Sequence, residues 1–130
     1  MTDIIINTIK YFIKNPLAIY IFGSAAKGNF TNDSDIDIAI LLQSPIEKHL
    51  LANIKAELSL QLNRDVDVID LNASSQVFQY EILSTAKKIE TSDQSTVDQL
   101  EAKMLAMYLE FQDMRKDLLA EIKKKGSIYG

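Results

Sequence analysis

Eight residues constrain the fold more tightly than any other stretch. Asp35 to Leu42 reads DIDIAILL, strict alternation of acid and isoleucine followed by an unbroken apolar run. A period of two is a strand signature, and the switch to continuous apolarity suits a strand whose first half borders a polar cleft. Leu17 to Phe22 (LAIYIF), bounded by Pro16 and Gly23, reads as a buried strand. Asp65 to Leu71 (DVDVIDL) alternates again and makes a third. Helical spacing fills the intervals. Ile4, Ile5, Ile9, Phe12 and Ile13 predict a helix over 2–14 that stops at Asn15-Pro16. Pro45 opens a second, to about Asn63, with Leu50, Leu51, Ile54, Leu58 and Leu62 on one face. Gln76 to Ala86 is helical in pattern, Lys87 to Thr91 forms a short edge strand, and Thr96 to Lys125 is the longest periodic segment. This order predicts an α/β (α+β) sandwich: a small mixed sheet with helices over one face and a long C-terminal helix.

Composition removes several classes of function. The 130 residues are about one domain's worth, and 47% of them are hydrophobic. Cysteine is absent and histidine occurs once, at His49, so thiolate zinc sites, disulfides and cysteine nucleophiles are excluded. A net charge of −4 argues against a broad basic surface for duplex nucleic acid. At the N-terminus Asp3, Lys10 and Lys14 interrupt the apolar residues, unlike a secretory signal, and no run approaches the ~20 apolar residues of a membrane span. A cytoplasmic location is expected, without a membrane partner.

One constellation carries chemistry. Strand alternation puts Asp35 and Asp37 on the same face, roughly 7 Å apart. Two carboxylates that close repel each other, and a divalent hard cation with oxygen ligands is the natural counter-charge; magnesium prefers one or two carboxylates plus substrate phosphates. Gly23-Ser24, at the end of the preceding strand, supplies the complement. Glycine permits a sharp turn and close approach, and a short helix opening at Ser24 would aim N–H groups and a hydroxyl at an anion. A third acid, Asp67, lies on the next strand. Phosphate cradle and metal carboxylates together describe a metal-nucleotide site.

Gly23-Ser24, ten intervening residues and Asp35-Ile36-Asp37 are similar to the signature of the nucleotidyltransferase superfamily that includes DNA polymerase beta. The fuller run IYIFGSAAKGNFTNDSDIDIAILL, with VDVIDL after it, resembles the minimal nucleotidyltransferases, notably the antitoxins of HEPN/MNT toxin–antitoxin pairs. The resemblance covers roughly Leu17 to Thr91 and implies the nucleotidyltransferase fold. It also implies that Gly23 and Ser24 hold the β- and γ-phosphates of ATP. Asp35 and Asp37 would then hold two magnesium ions, and Asp67 would share one of them and ready the attacking hydroxyl. Many such relatives carry Arg at the positions of Ala25 and Lys27; Lys is a point charge without the planar fork of Arg.

The function so implied is transfer of AMP from ATP to a tyrosine hydroxyl of a cognate HEPN ribonuclease toxin, within a hetero-oligomer of the two. Two rivals stand beside it: a non-catalytic antitoxin that acts by binding, and a nucleotidyltransferase of small molecules such as aminoglycosides. The intact acid triad favours catalysis, and the lack of an added substrate domain favours a protein acceptor. Residues 1–95 are read as the nucleotidyltransferase domain and 96–130 as a C-terminal helix for partner docking or self-packing. In that helix Val97, Leu100, Met104, Met107, Phe111, Met114 and Leu118 step by three and four, a heptad-like seam, with Ser92 to Ser95 as a polar hinge. His49 reads as a bystander on a polar face, and Tyr20 and Tyr80 as core.

Overall fold

The computed structural model describes residues 1–26 and 35–125. Lys27 and the turn-rich segment before Asp35 lie outside the described residues. Four strands, β1 (Ala18–Phe22), β2 (Ile36–Leu41), β3 (Val66–Asp70) and β4 (Lys87–Thr91), make one sheet in the order β3-β2-β1-β4. β2 pairs with β3 in parallel, while β1 is antiparallel to both β2 and β4. The helices are α1 (Thr2–Phe12), α2 (Lys48–Leu62), α3 (Gln76–Thr85) and α4 (Gln94–Lys124). The expected α/β class, mixed sheet, edge strand β4 and long C-terminal helix are all present.

The helices cover both faces of the sheet, not one. Ile19 and Ile21 of β1, Ile36, Ile38 and Ile40 of β2 and Val66 and Val68 of β3 pack with Ile5 and Ile9 of α1 and Ile54 and Leu58 of α2. The alternate residues Ala18, Tyr20, Ala39 and Leu41 pack on the opposite face with Ile82 of α3 and Val97 and Met104 of α4. The cause is in the strands: β1 and β2 bury both alternating sets, so neither face can be left to water.

Two further expectations shift for local reasons. Pro45 does not open α2, because the Ile46 N–H donates to the buried carboxylate of Asp70 at 2.9 Å, holding the segment out of helix until Lys48. The Ser92 to Ser95 segment is a helix start rather than a hinge. The Asp93 side chain accepts from the Thr96 N–H, the position of an N-cap, and α4 already runs from Gln94.

Within α4 the seam divides. Val97 and Met104 are buried in the core, Tyr20 donates to Glu101, and Lys88 pairs with Glu101 at 3.0 Å. Further along, Met107, Phe111, Met114 and Leu118 are exposed. Tyr20 is core as expected. Tyr80 is not: it is 39% exposed and stacks on Tyr108 with ring centroids 4.0 Å apart, because its position on α3 faces α4 at the surface.

Candidate active site

The described acids meet at one end of the sheet. β1 ends at Phe22, which pairs with Asp37 of β2, and Asp37 pairs in turn with Asp67 of β3. Neighbouring strands stand roughly 4.8 Å apart, so these positions form one row. Asp37 and Asp67 share the sheet face that α3 and α4 cover, since Ala39 and Leu41 follow Asp37 by twos. Asp35 precedes β2 on the same alternation and is exposed; the Ile36 N–H between them donates to the Asp65 carbonyl at 3.0 Å. Asp37 is half-buried and Asp67 exposed.

Gly23 is fitted to this row. Its φ of +72° lies in the left-handed region that disfavours a side chain, and a Cβ built there would collide with Oδ2 of Asp37. The chain then makes a 3₁₀ turn over Gly23–Ala25, closed by the Ala26 N–H donating to the Gly23 carbonyl. The turn therefore opens at Gly23, one residue earlier than the sequence indicates, with Ser24 half-buried inside it. The absence of a side chain on Gly23 lets the backbone of this turn lie against the Asp37 carboxylate.

Electrostatics single out the middle acid. Burial, then the charge of Asp67, then that of Asp35, push the Asp37 carboxyl above the ordinary carboxylate range. Burial and the two neighbouring acids thus oppose ionisation of Asp37, a strain a hard cation would relieve. Among the described residues no group of three acidic, histidine or cysteine side chains is placed to hold an ion by itself. That still fits magnesium, which dehydrates reluctantly, keeps waters and takes substrate phosphates alongside one or two carboxylates.

Other acids nearby have structural duties. Asp70 is buried and accepts from the Ile46 and Asn72 N–H groups, fixing the lead-in to α2 and the 3₁₀ turn after β3. His49 is exposed on α2.

A cavity of about 190 Å³ adjoins the row, bounded by Phe22, Gly23 and Asp37 on the sheet side and by Phe78, Glu81 and Thr85 of α3. Phe22 and Phe78 meet edge to face, centroids 5.7 Å apart. The helical pattern over 76–86 gives no role to Phe78, Glu81 or Thr85. The available signal was spacing: positions 78, 81, 82 and 85 share one helix face, so a polar pair lies on the face that also carries Phe78 and Ile82.

A family model described as "Polymerase beta, Nucleotidyltransferase" matches residues 5–95, and the chain belongs to that family. It is 30% identical over 105 residues to the protein adenylyltransferase MntA of Shewanella oneidensis, covering 80% of this chain and 74% of that protein. Among solved structures, it superposes on a chain of a toxin–antitoxin crystal structure with AMP-PNP at a TM-score of 0.80 and 28% identity, over 94% of this chain and 98% of that one. A chain of a toxin–antitoxin MntA-HpeT mutant gives a TM-score of 0.76 at 30% identity, over 93% and 96%. Among the described residues no helix is long and apolar enough to cross a membrane.

Proposed function

We propose that this protein is an antitoxin that works as a magnesium-dependent protein adenylyltransferase, moving AMP from ATP to a tyrosine hydroxyl of a cognate HEPN toxin. The observation that carries the reading is the row Gly23–Asp37–Asp67 with Asp35 beside it. Its support is the 30% identity to a protein adenylyltransferase and the close likeness to a chain crystallised as a toxin–antitoxin with AMP-PNP.

In this reading the acceptor oxygen attacks the α-phosphorus of ATP, the bond to the bridging oxygen of the β-phosphate breaks, and pyrophosphate leaves. Gly23 and Ser24 hold the β- and γ-phosphates against the 3₁₀ turn. Asp67 readies the attacking hydroxyl, and Asp37, whose carboxyl burial and then the other two acids push up, sits centrally. Magnesium, held as two ions by Asp35, Asp37 and Asp67, would neutralise phosphate charge and stabilise the in-line displacement.

A catalytic unit over residues 1–95, with the sequence from 96 on serving as the docking element, fits this role. The first turns of α4 pack on the domain, and its distal half presents Met107, Phe111, Met114 and Leu118 for the toxin. Exposed apolar stripes of this kind are covered in a complex or invite aggregation.

Labelled ATP, magnesium and the purified toxin test the proposal. Wild-type protein should label the toxin, and Asp35→Asn or Asp37→Asn should abolish labelling while keeping the fold. Neutralisation of the toxin with no transfer by wild-type protein would make it a binding-only antitoxin.

A further inference from the structure

Tyr80 of α3 and Tyr108 of α4 stack with ring centroids 4.0 Å apart and planes within 6° of parallel. Neither lines the cavity beside Asp37. The pair lies at the surface, so it excludes little water and adds little to stability. What it does fix is geometry, because two flat faces in contact hold their helices at a set distance and angle. Gln112, one turn further along α4, donates its side-chain amide to the Tyr108 hydroxyl at 2.7 Å and steadies that ring on its own helix.

The two rings belong to helices held in different ways. α3 is anchored to the sheet: Gln79 is buried with its amide donating to the Leu71 carbonyl at 2.9 Å, and Ile82 is buried in the core. The same helix walls the cavity beside Asp37 through Phe78, Glu81 and Thr85. α4 is anchored over its first turns, by Val97 and Met104 in the core and by Glu101, which accepts from Tyr20 and pairs with Lys88. Beyond them Met107, Phe111, Met114 and Leu118 are exposed. Tyr108 stands at this boundary, about 10 Å along the helix from Glu101 and about 15 Å short of Leu118.

A helix fastened at one end is a lever. A tilt of about 5° about Glu101 would move Leu118, about 25 Å away, by about 2 Å. A shift of about 1 Å at a reacting centre already costs on the order of 10²-fold. In the adenylyltransferase reading, on which this inference rests, the distal half of α4 holds the toxin while the acid row does the chemistry. The direction in which α4 leaves the domain therefore sets where the acceptor tyrosine arrives. We propose that the Tyr80–Tyr108 stack sets this direction, tying the docking helix to the helix that walls the active site. Tyr80 and Tyr108 are positioning residues: they align the bound toxin's tyrosine with the acid row and touch neither nucleotide nor acceptor.

Single-turnover labelling of the purified toxin, at saturating toxin and magnesium-ATP, tests this alongside calorimetry of toxin binding. Tyr80→Ala and Tyr108→Ala should each slow labelling about tenfold or more while toxin affinity stays within about threefold and magnesium-ATP affinity is unchanged. The double variant should be no slower than either single one, since either truncation already removes the stack. Tyr80→Phe and Tyr108→Phe keep both rings and should label within about twofold of wild type. Melting temperatures of the alanine variants should fall by less than about 8 °C. Wild-type labelling rates in the folded alanine variants overturn the proposal, and so does slow labelling by the phenylalanine variants. Toxin affinity that falls in step with the rate would make the pair a direct docking contact, and unfolding of both alanine variants would make it part of the core; either result overturns the positioning role while nucleotidyl transfer stands. Failure of wild-type protein to label the toxin overturns the adenylyltransferase reading and this inference together.

Discussion

Replacing Gly23 with alanine perturbs the site through two separable effects. At φ +72° a Cβ carries the left-handed penalty of about 1–2 kcal/mol. The same Cβ meets Oδ2 of Asp37 well inside van der Waals contact and lies 3.4 Å from its Cγ, so the carboxylate must swing off its rotamer at about 0.5–1.5 kcal/mol. Alanine also narrows the unfolded ensemble, returning about 0.4–1 kcal/mol. The net loss is about 1–2 kcal/mol, a fall in melting temperature of roughly 3–10 °C for a domain of this size. Transfer should suffer far more, because a carboxylate moved by ~1 Å at a reacting centre costs on the order of 10²-fold. Melting curves and toxin labelling from ATP measure the two effects side by side. The double variant Gly23→Ala, Asp37→Ala then isolates the collision: with the carboxylate gone, the stability cost of Gly23→Ala should shrink to its backbone part. A Gly23→Ala protein with wild-type melting and wild-type labelling would refute the close approach of turn and carboxylate. Strict additivity in the double variant would refute the collision alone.

The raised carboxyl of Asp37 carries a sign that stability measurements can read. Its ionisation is disfavoured in the fold, so its contribution is intact at acid pH and is lost as pH rises through the folded-state value. Ligand-free Asp37→Asn should therefore melt higher than wild type at pH 7, with the gap closing on acidification; a gap of opposite sign would remove the proposed crowding of acids. Tyr20→Phe deletes the hydrogen bond to Glu101 and should cost about 1–2 kcal/mol in urea unfolding. Because burial and then Glu101 push the Tyr20 hydroxyl far above its ordinary pKa, that cost should be the same at pH 6 and pH 9. Phe111→Asp, on the exposed half of α4, should weaken toxin association more than tenfold and leave stability within ~0.5 kcal/mol of wild type; an unfolded variant would show that Phe111 belongs to the protein's own core.

The parts legible in the sequence are those whose physics is local. DIDIAILL alternates because the first half of β2 carries the acid row at one end of the sheet, and Gly23 stands where a turn must pass beside a carboxylate. Both follow from residues a few positions apart. The second covered face was also encoded, in the consecutive buried residues of β1 and β2, but a short continuous run fits several degrees of cover. The polar segment before α4 was ambiguous for a similar reason: a hinge and an N-cap draw on the same residue types, and only the bond from the Thr96 N–H to Asp93 separates them.

What stayed hidden depends on contacts distant in the chain. Nothing near Phe78 announces that it meets Phe22, or that Glu81 thereby faces a cavity beside Asp37. The placement follows from packing: Gln79 is buried with its amide donating to the Leu71 carbonyl, and Ile82 is buried against the sheet, which fixes the rotation of α3. The C-terminal seam presents the inverse case, in which one legible pattern serves two surfaces. A helix of 31 residues is about 46 Å long, whereas a compact chain of this length has a radius of gyration near ~14 Å. The same stripe that buries Val97 and Met104 must therefore run off the domain, and Phe111, Met114 and Leu118 emerge on it at unchanged spacing. Periodicity specifies the stripe; the size of the sheet decides where the protein's own core ends and the exposed part of the stripe begins.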